Sequence, residues 1–446
     1  MIQKIAENFL YHIWDEQHIK KMLFTVDGRE LKVLFQGKWN TDAGPDFRNA
    51  IVLLDYEKYQ GDIEIHRTEY DWHSHNHHED PNYNEVILHV VFQNDPHNLF
   101  TISESGKKIP ILILKDNLDE SIEKLWKKYG DKPFDKLQKE SITCLPAESN
   151  LINKDVLNML KDLVKKRFER KCRRFSAELF NSDFNQILYE GIFEALGYSK
   201  NKMPFLKLSK TLSYKKLEGF SSLCISPIDI FSILTLASGL NIEDYHFDFL
   251  DESILARVES FRELIETQLK ESILIKGDWN FFRVRPQNHP ICRMWQISPF
   301  LFSTIETSLI NRVISIFSIA ERSEIKPNTI QDNFFSLLIQ NIINEKYKIG
   351  KLRSNDIFAN TVLPVCFVYA ETLNYEKLKK TIQGTYLSLK KLSDNYITKF
   401  VYAHLKNKIG NKRKVNLSIQ QGMLQLYYKF CCHRECKNCI RNLTQK

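Results

Sequence analysis

Hydrophobic and polar positions divide the chain into an extended first third and a helical remainder. A short opening stretch spaces Ile5, Leu10, Ile13 and Trp14 on one side of a helix. Apolar residues then come in extended runs, at Glu30–Gln36, Phe47–Tyr56, Gly61–Arg67, Val86–Gln93 and Ile109–Leu114. Runs of this length predict strands. The polar residues Glu57–Gln60 predict the hairpin connection between the second run and the third. The expected order is helix, three strands, a polar segment with at most a short helix, and a further strand. Over Asp131–Ser149 the pattern loosens around Pro133 and Pro146, which predicts a boundary. From about Asn153 onward the period is helical, with helix starts at Asn153 and at Ser226 before Pro227. No fixed-period repeat marks a solenoid. The expected fold class is α+β: a mixed sheet with flanking helices over residues 1–140, then a mostly α-helical domain over 150–446.

Composition changes this picture little. The 446 residues are 43% hydrophobic and 26% charged, which suits a globular protein with room for two or three domains. No apolar run approaches the ~18 residues of a membrane span, and Ser226–Leu240 is interrupted by Asp229. The N-terminus carries acids where a signal peptide is apolar, so a cytoplasmic protein without a membrane partner is expected. Nine cysteines then imply thiols or metal ligands rather than disulfides. Cys144, Cys172, Cys224, Cys292 and Cys366 stand singly and suit core positions; the other four are bunched at the C-terminus.

The net charge of +8 favours an acidic partner. Its densest basic run lies on an amphipathic helix whose apolar positions are Leu160, Val164, Phe168, Cys172, Phe175 and Leu179. The outer face carries Lys165, Lys166, Arg167, Arg170, Arg173 and Arg174. It is either a solvated face or a contact surface for the nucleic-acid backbone.

The candidate chemistry is concentrated between Gly44 and His89. Asp46 stands just before a strand, and Glu64 and His66 lie two apart in the next, so they share a face while Ile63 and Ile65 point the other way. If the two strands pair, Asp46 and Glu64 converge. Hard oxygen ligands of this kind suit Mg²⁺ or Mn²⁺, and His66 would orient or deprotonate an attacking water. The bland alternative is that Asp46 caps the turn after Gly44-Pro45 and Glu64 is a half-exposed strand residue. A rival keeps the metal and changes its identity: the run His73, His75, His77 and His78, with His66 and His89 nearby, supplies imidazoles for zinc. That run reads as a polar loop, with no i, i+2 pattern fixed by a sheet. His89, in an apolar strand, suits a satisfied core histidine; alternatively His75 and His89 stand behind the metal ligands and orient them.

The C-terminus reads Cys431-Cys432-His433-Arg434-Glu435-Cys436-Lys437-Asn438-Cys439. Cys436-x-x-Cys439 can aim two thiolates at one metal, and Cys431 or Cys432 is near enough for a third. The fourth ligand would be the other adjacent cysteine, His433 or a distant residue such as Cys144. Zinc, a redox pair and plain thiols all fit this spacing, with a structural staple the simplest role.

Pro45-Asp46 and Glu64-x-His66, with their strand order, resemble the PD-(D/E)xK nuclease superfamily. The resemblance implies a restriction-endonuclease-like sheet and metal-dependent phosphodiester hydrolysis by Asp46, Glu64 and His66. A [4Fe–4S] cluster on the C-terminal cysteines plus a remote one is implied only by the resemblance to recombination nucleases of that superfamily. His66 stands where that superfamily has lysine, and Thr68–Glu85 is more polar than its usual helix. Over almost its whole length the chain also resembles the bacterial domain-of-unknown-function family 2851. Gly44-Pro45-Asp46-Phe47, Gly61–His66, Asp71-Trp72-x-x-His75, Tyr83, Leu88-His89-Val90, Glu190-Gly191-Ile192, Leu196-Gly197-Tyr198 and Arg285-Pro286-x-Asn288-x-Pro290-x-x-Arg293 carry this resemblance. In the last motif, Arg285 and Arg293 are expected to clamp a carboxylate or phosphate. Three functions follow as expectations: a nuclease using Mg²⁺ or Mn²⁺, a non-catalytic nucleic-acid-binding or assembly protein on such a fold, and a zinc-dependent hydrolase.

Overall fold

The computed structural model describes residues 5–40, 44–95, 97–130, 144, 153–180, 182–198, 200–270, 273–282, 284–323, 327–340, 344–409, 415–431 and 436–439. Eight strands form one mixed sheet: β1 (Leu23–Phe24), β2 (Glu30–Phe35), β3 (Lys38–Trp39), β4 (Phe47–Leu54), β5 (Glu57–His66), β6 (Val86–Val91), β7 (Phe100–Ile102) and β8 (Lys108–Ile113). Their spatial order is β1-β2-β4-β5-β6-β8-β7, with β3 also paired to β4. β2, β4 and β5 are antiparallel neighbours, whereas β5, β6 and β8 run parallel. The five long strands are those the sequence predicts. β1, β3 and β7 are two or three residues long, too short for alternation to be read.

The β4–β5 hairpin is tighter than expected. Leu54 pairs with Glu57, so Asp55 and Tyr56 alone make the turn, with φ of 48° and 68°. Two successive left-handed residues match the twist of a two-residue hairpin. Glu57–Gln60 therefore belongs to β5 and not to the connection. At the other end of the hairpin the register shifts between Phe47 and Ala50. There Asn49 adopts φ 56° and donates its amide to Asp62 Oδ1 at 3.0 Å. Bulges re-aim the residues beside them, and this one sets the start of β4 against the end of β5. Between β5 and β6 the backbones pack so closely that a Cβ on Gly61 would lie 2.4 Å from the Glu85 carbonyl oxygen.

One face of the sheet is apolar. Phe47, Ile63, Ile65, Leu88 and Val90 pack with Phe9, Leu10, Ile13 and Trp14 of α1 (Glu7–Asp15). These four helix residues form the stripe an amphipathic helix needs. Between β5 and β6 lies α2 (Tyr70–Ser74), followed by single 3₁₀ turns at His77–Glu79 and Pro81–Tyr83. The polar segment, expected to hold at most a short helix, is a chain of short helical turns. Trp72, wholly buried, anchors it through an Nε1–H bond to the Ile102 carbonyl at 3.0 Å. After α3 (Ile122–Lys128) comes the long helix α4 (Asn153–Glu178), whose Ala177 packs on Phe35 and Ile51.

The chain separates into two compact units. The first comprises Met1–Asn181, Tyr396–Asn411 and Gln421–Lys446; the second comprises Ser182–Asn395 and Lys412–Gln420. Residues beyond 150 thus contribute to both. The second unit is helical, as the period of its sequence implies. Its helix Pro227–Ala237 begins where expected, with a capping box between Ser226 and Asp229. Among the described residues no single helix is long and apolar enough to cross a membrane. The expected boundary near Asp131–Ser149 lies outside the described residues, Cys144 excepted.

Candidate metal centre

The antiparallel register sets Phe47 opposite Ile63, which puts Asp46 beside Glu64 at the same end of the sheet. Backbone amides lock the two carboxylates crosswise. The Asp46 N–H donates to Glu64 Oε2 and the Ile65 N–H donates to Asp46 Oδ2, each at 3.0 Å. The Tyr11 hydroxyl of α1 also bonds to Asp46. Glu64 and His66 are 5% and 1% exposed. Asp46 is half-buried and bound to the neighbouring strand, so it does more than cap a turn.

Parallel pairing with β6 sets His89 opposite Glu64 and so beside His66. A chain of rings follows: Thr101 Oγ1 lies 2.7 Å from His89 Nδ1, and His89 Nε2 lies 2.9 Å from His66 Nδ1. If His89 donates to Thr101, His66 must donate to His89, and the lone pair of His66 Nε2 then faces the pocket. A metal ligand needs that tautomer, and a partner on the far nitrogen is how such ligands are oriented. His66 Nε2 lies 3.1 Å from His75 Nδ1 and 3.4 Å from Glu64 Oε1. Glu64 Oε1 lies 3.2 Å from His77 Nε2. Ligands bound to one ion at the usual Zn–N length stand about 3.4 Å apart along a tetrahedral edge. The three imidazole nitrogens all lie within 4.8 Å of one another, with His66 and His77 buried and His75 exposed. By spacing and chemistry, His66, His75 and His77 fit a divalent ion, and Glu64 lies against two of them.

Electrostatics point the same way. Burial, then the neighbouring Glu64, hold the Asp46 carboxyl well above the usual carboxylate range. Burial pushes Glu64 up to about 8, against the pull of the Asp46 amide. Burial and then the surrounding imidazoles depress His66, and burial takes His89 down to about 3. Glu7 of α1 is raised by burial while feeling His75 and His77. Each of these groups is pushed towards its neutral form, which a bound cation would reverse for the carboxylates.

The sequence singles out Asp46, Glu64, His66, His75 and His89, and the fold brings all five together at one end of the sheet. His77 was one member of a run and gained its place through the 3₁₀ turn, where it stacks on Tyr83 at 3.8 Å between centroids. Glu7 and Tyr11 carried no signal, because only tertiary packing sets α1 over this strand end. His73 and His78 pair with each other, their ring centroids 4.4 Å apart.

The basic residues of α4 divide. Lys165, Lys166 and Arg173 are exposed, whereas Arg170 pairs with Asp15 at 2.6 Å, Arg174 with Glu178 at 3.0 Å, and Arg167 donates to Gln421 at 2.8 Å. Of the C-terminal cysteines, Cys431, Cys436 and Cys439 are described, while Cys432 and His433 lie outside the described residues. In the second unit Arg285 is exposed and Arg293 is buried. The partners of Arg293 among the described residues are the amides of Asn288 and Gln296 and the ring of Tyr198, not the expected carboxylate.

No curated protein and no solved structure matches the chain. A family model described as a protein of unknown function, DUF2851, matches residues 7–395. The chain belongs to the DUF2851 family.

Proposed function

We propose that this protein is a divalent-metal-dependent phosphodiesterase of the nuclease kind, acting on DNA or RNA. The observation that carries the reading is the pair Asp46 and Glu64, cross-bonded on adjacent strands with His66 two residues on. The four strands β2-β4-β5-β6, antiparallel twice and then parallel, follow α1 and enclose the short α2. That is the order expected of a PD-(D/E)xK core. Asp46 and Glu64 would hold the metal, and His66, oriented by His89, would position the attacking water. When bound, the ion polarises the phosphodiester and neutralises charge that develops on it. The exposed Lys165, Lys166 and Arg173 and the exposed Arg67 offer contacts for a phosphate backbone.

A second reading, a zinc-dependent hydrolase, is favoured by His66, His75 and His77, because three imidazoles suit zinc or manganese better than magnesium. Cleavage of single- and double-stranded DNA and RNA under Mg²⁺, Mn²⁺ and Zn²⁺, wild type against Glu64→Ala and His75→Ala, decides between them. Turnover lost in Glu64→Ala supports the nuclease. Hydrolysis of small esters under zinc, with nucleic acid untouched, supports the second reading. A protein that binds nucleic acid but cleaves nothing is a scaffold.

A further inference from the structure

Two sequence motifs that the sheet pocket does not use, Leu196-Gly197-Tyr198 and the run from Arg285 to Arg293, meet in the helical unit. Helix Phe184–Leu196 ends in a turn so tight that a Cβ on Gly197 would lie 2.1 Å from the Asn201 carbonyl oxygen. In that turn Tyr198 adopts φ 54°, a left-handed conformation that aromatic residues rarely take. Two guanidinium groups gather on its ring. The Cζ of Arg353, from helix Lys351–Ile357, lies 3.1 Å from the ring centroid. The Cζ of Arg293, from the first turn of helix Pro290–Thr304, lies 5.2 Å from it. The two cationic carbons therefore stand within about 8 Å of each other, where like charges out of water repel.

The hydrogen bonds of these groups are incomplete. Arg293 is 4% exposed; it gives Nη1–H to Gln296 Oε1 at 2.7 Å and Nη2–H to Asn288 Oδ1. Arg353 gives Nη1–H to the Ala195 carbonyl at 3.2 Å. The Nε atoms of both arginines are buried and have no partner, and a buried donor without an acceptor needs an explanation. Stacking on Tyr198 covers the flat faces of the guanidiniums but supplies no acceptor in their planes. Among the described residues, the carboxylate paired with the cluster is Asp356, 3.7 Å from Arg353, and burial pushes it towards its neutral form. Burial and then the Arg353 charge lower the pKa of Arg293. Because a guanidinium only donates, Asn288 turns its oxygen to Arg293, which leaves the Nδ2 donors for another acceptor.

We propose that Arg293, Arg353 and Asn288 form a binding site for a phosphate group, covered by the ring of Tyr198. A guanidinium fork matches the oxygens of phosphate, and two forks with an amide reach more than one of them. Charge favours phosphate over a carboxylate: a phosphate monoester carries nearly two negative charges at neutral pH, enough to offset both arginines. Tyr198 is 40% exposed, so the cluster lies at the surface of its unit. Uptake requires the ring to shift off the two Nε atoms, and its strained backbone suits it to move. The site shares no residue with the carboxylate–histidine pocket, so it stands or falls apart from the nuclease reading.

The test is calorimetric titration of the full-length protein, in chelator and phosphate-free buffer, with inorganic phosphate, a nucleoside 5′-monophosphate and acetate. Amide exchange of the wild type, which needs no variant to fold, is read alongside. One or both phosphate probes should bind at least about ten-fold more tightly than acetate, and protection should rise at Tyr198 and in the first turn of helix Pro290–Thr304. Equal affinity for the two probes identifies free phosphate as sufficient; a clear preference for the monophosphate identifies the end of a phosphate ester. Arg353→Gln, at a partly exposed position, should weaken binding about ten-fold or more, and Arg353→Lys by less. Binding should persist in Glu64→Ala and in a Lys165→Gln, Lys166→Gln double variant, which remove the sheet pocket and the exposed basic face as alternatives. Failure of both probes to bind would overturn the proposal, as would acetate binding as tightly as phosphate. So would affinity unchanged in Arg353→Gln, or protection confined to the sheet unit.

Discussion

Two buried carboxylate arrangements in this molecule are opposite in character. In the helical unit Asp229 is wholly buried and fully satisfied. Its Oδ1 takes the Arg257 Nε–H at 2.5 Å, and its Oδ2 takes the amides of Ile225 and Ser226, both at 2.8 Å. Burial works against the charged form, yet the Arg257 bond and the two amides outweigh it, and the carboxyl sits below its usual range. In the sheet unit Asp46 and Glu64 are bonded crosswise by single amides and surrounded by neutral rings, and both are pushed up. Asp229 is a carboxylate that the fold has finished using. On the proposed reading the other pair would take up a charge from outside the chain, and this contrast separates a structural acid from a candidate ligand.

The comparison breaks most visibly under substitution. Asp229→Ala removes the capping box and orphans Arg257, and should cost about 3 kcal/mol, as a lost cap plus lost charge-assisted bonds. Glu64→Gln, measured in chelator at pH 8, should leave stability unchanged or raise it, because a carboxylate whose charge burial disfavours is removed. Denaturant unfolding checks both, with amide exchange of helix Pro227–Ala237 and of the β4–β5 hairpin assigning each effect to its unit. Loss of stability in Glu64→Gln as large as in Asp229→Ala would sink the distinction.

The difference between the two sites also explains what was legible in the sequence. Ser226-Pro227 and Asp229 form a local signal, because a capping box is written within a few residues. The strand pairing of Asp46 with Glu64 was legible as well, since alternation fixes which side chains share a face. The histidine run was not. His73, His75 and His77 alternate, but no strand carries them; Trp72, bonded to the Ile102 carbonyl, anchors the short turns in which His75 and His77 meet His66. Glu7 and Tyr11 belong to the same class: their helix was legible, and the strand end it covers was not. Arg293 shows the reverse error, since a paired charge was expected and the fold supplies amides and an aromatic ring.

Metal should move the sheet pocket and leave Asp229 alone. A divalent ion at a hundred times its dissociation constant stabilises the protein by about 2.7 kcal/mol if it binds only the folded state. The shift should appear in wild type and Asp229→Ala alike and vanish in Glu64→Ala. Behind the pocket, His89→Phe removes the partner that fixes the His66 tautomer. Loss of such an outer partner typically lowers metal affinity by about 10–100-fold, which calorimetric titration of Mn²⁺ or Zn²⁺ would measure. Unchanged affinity would mean that the Thr101–His89–His66 chain serves packing alone.

The pH dependence is the sharpest in sign. Glu64 titrates near 8 in the folded chain against 4.5 unfolded, so between those values the folded state keeps a proton that the unfolded state has released. Stability of the metal-free protein should therefore fall as pH rises through this window, by at most about 1.4 kcal/mol per pH unit for one proton. Asp229 has the opposite linkage. Its depressed pKa makes a contribution fully present above the unfolded value of 3.8 and lost as pH falls through the folded one. Amide exchange at pH 5 and pH 8 in chelator, wild type against Glu64→Gln, isolates the Glu64 slope. The substitution should flatten it in the hairpin while the Pro227–Ala237 helix stays unaffected, and an equal slope in both proteins would mean that the Glu64 carboxyl is already ionised and that its charge is met within the fold.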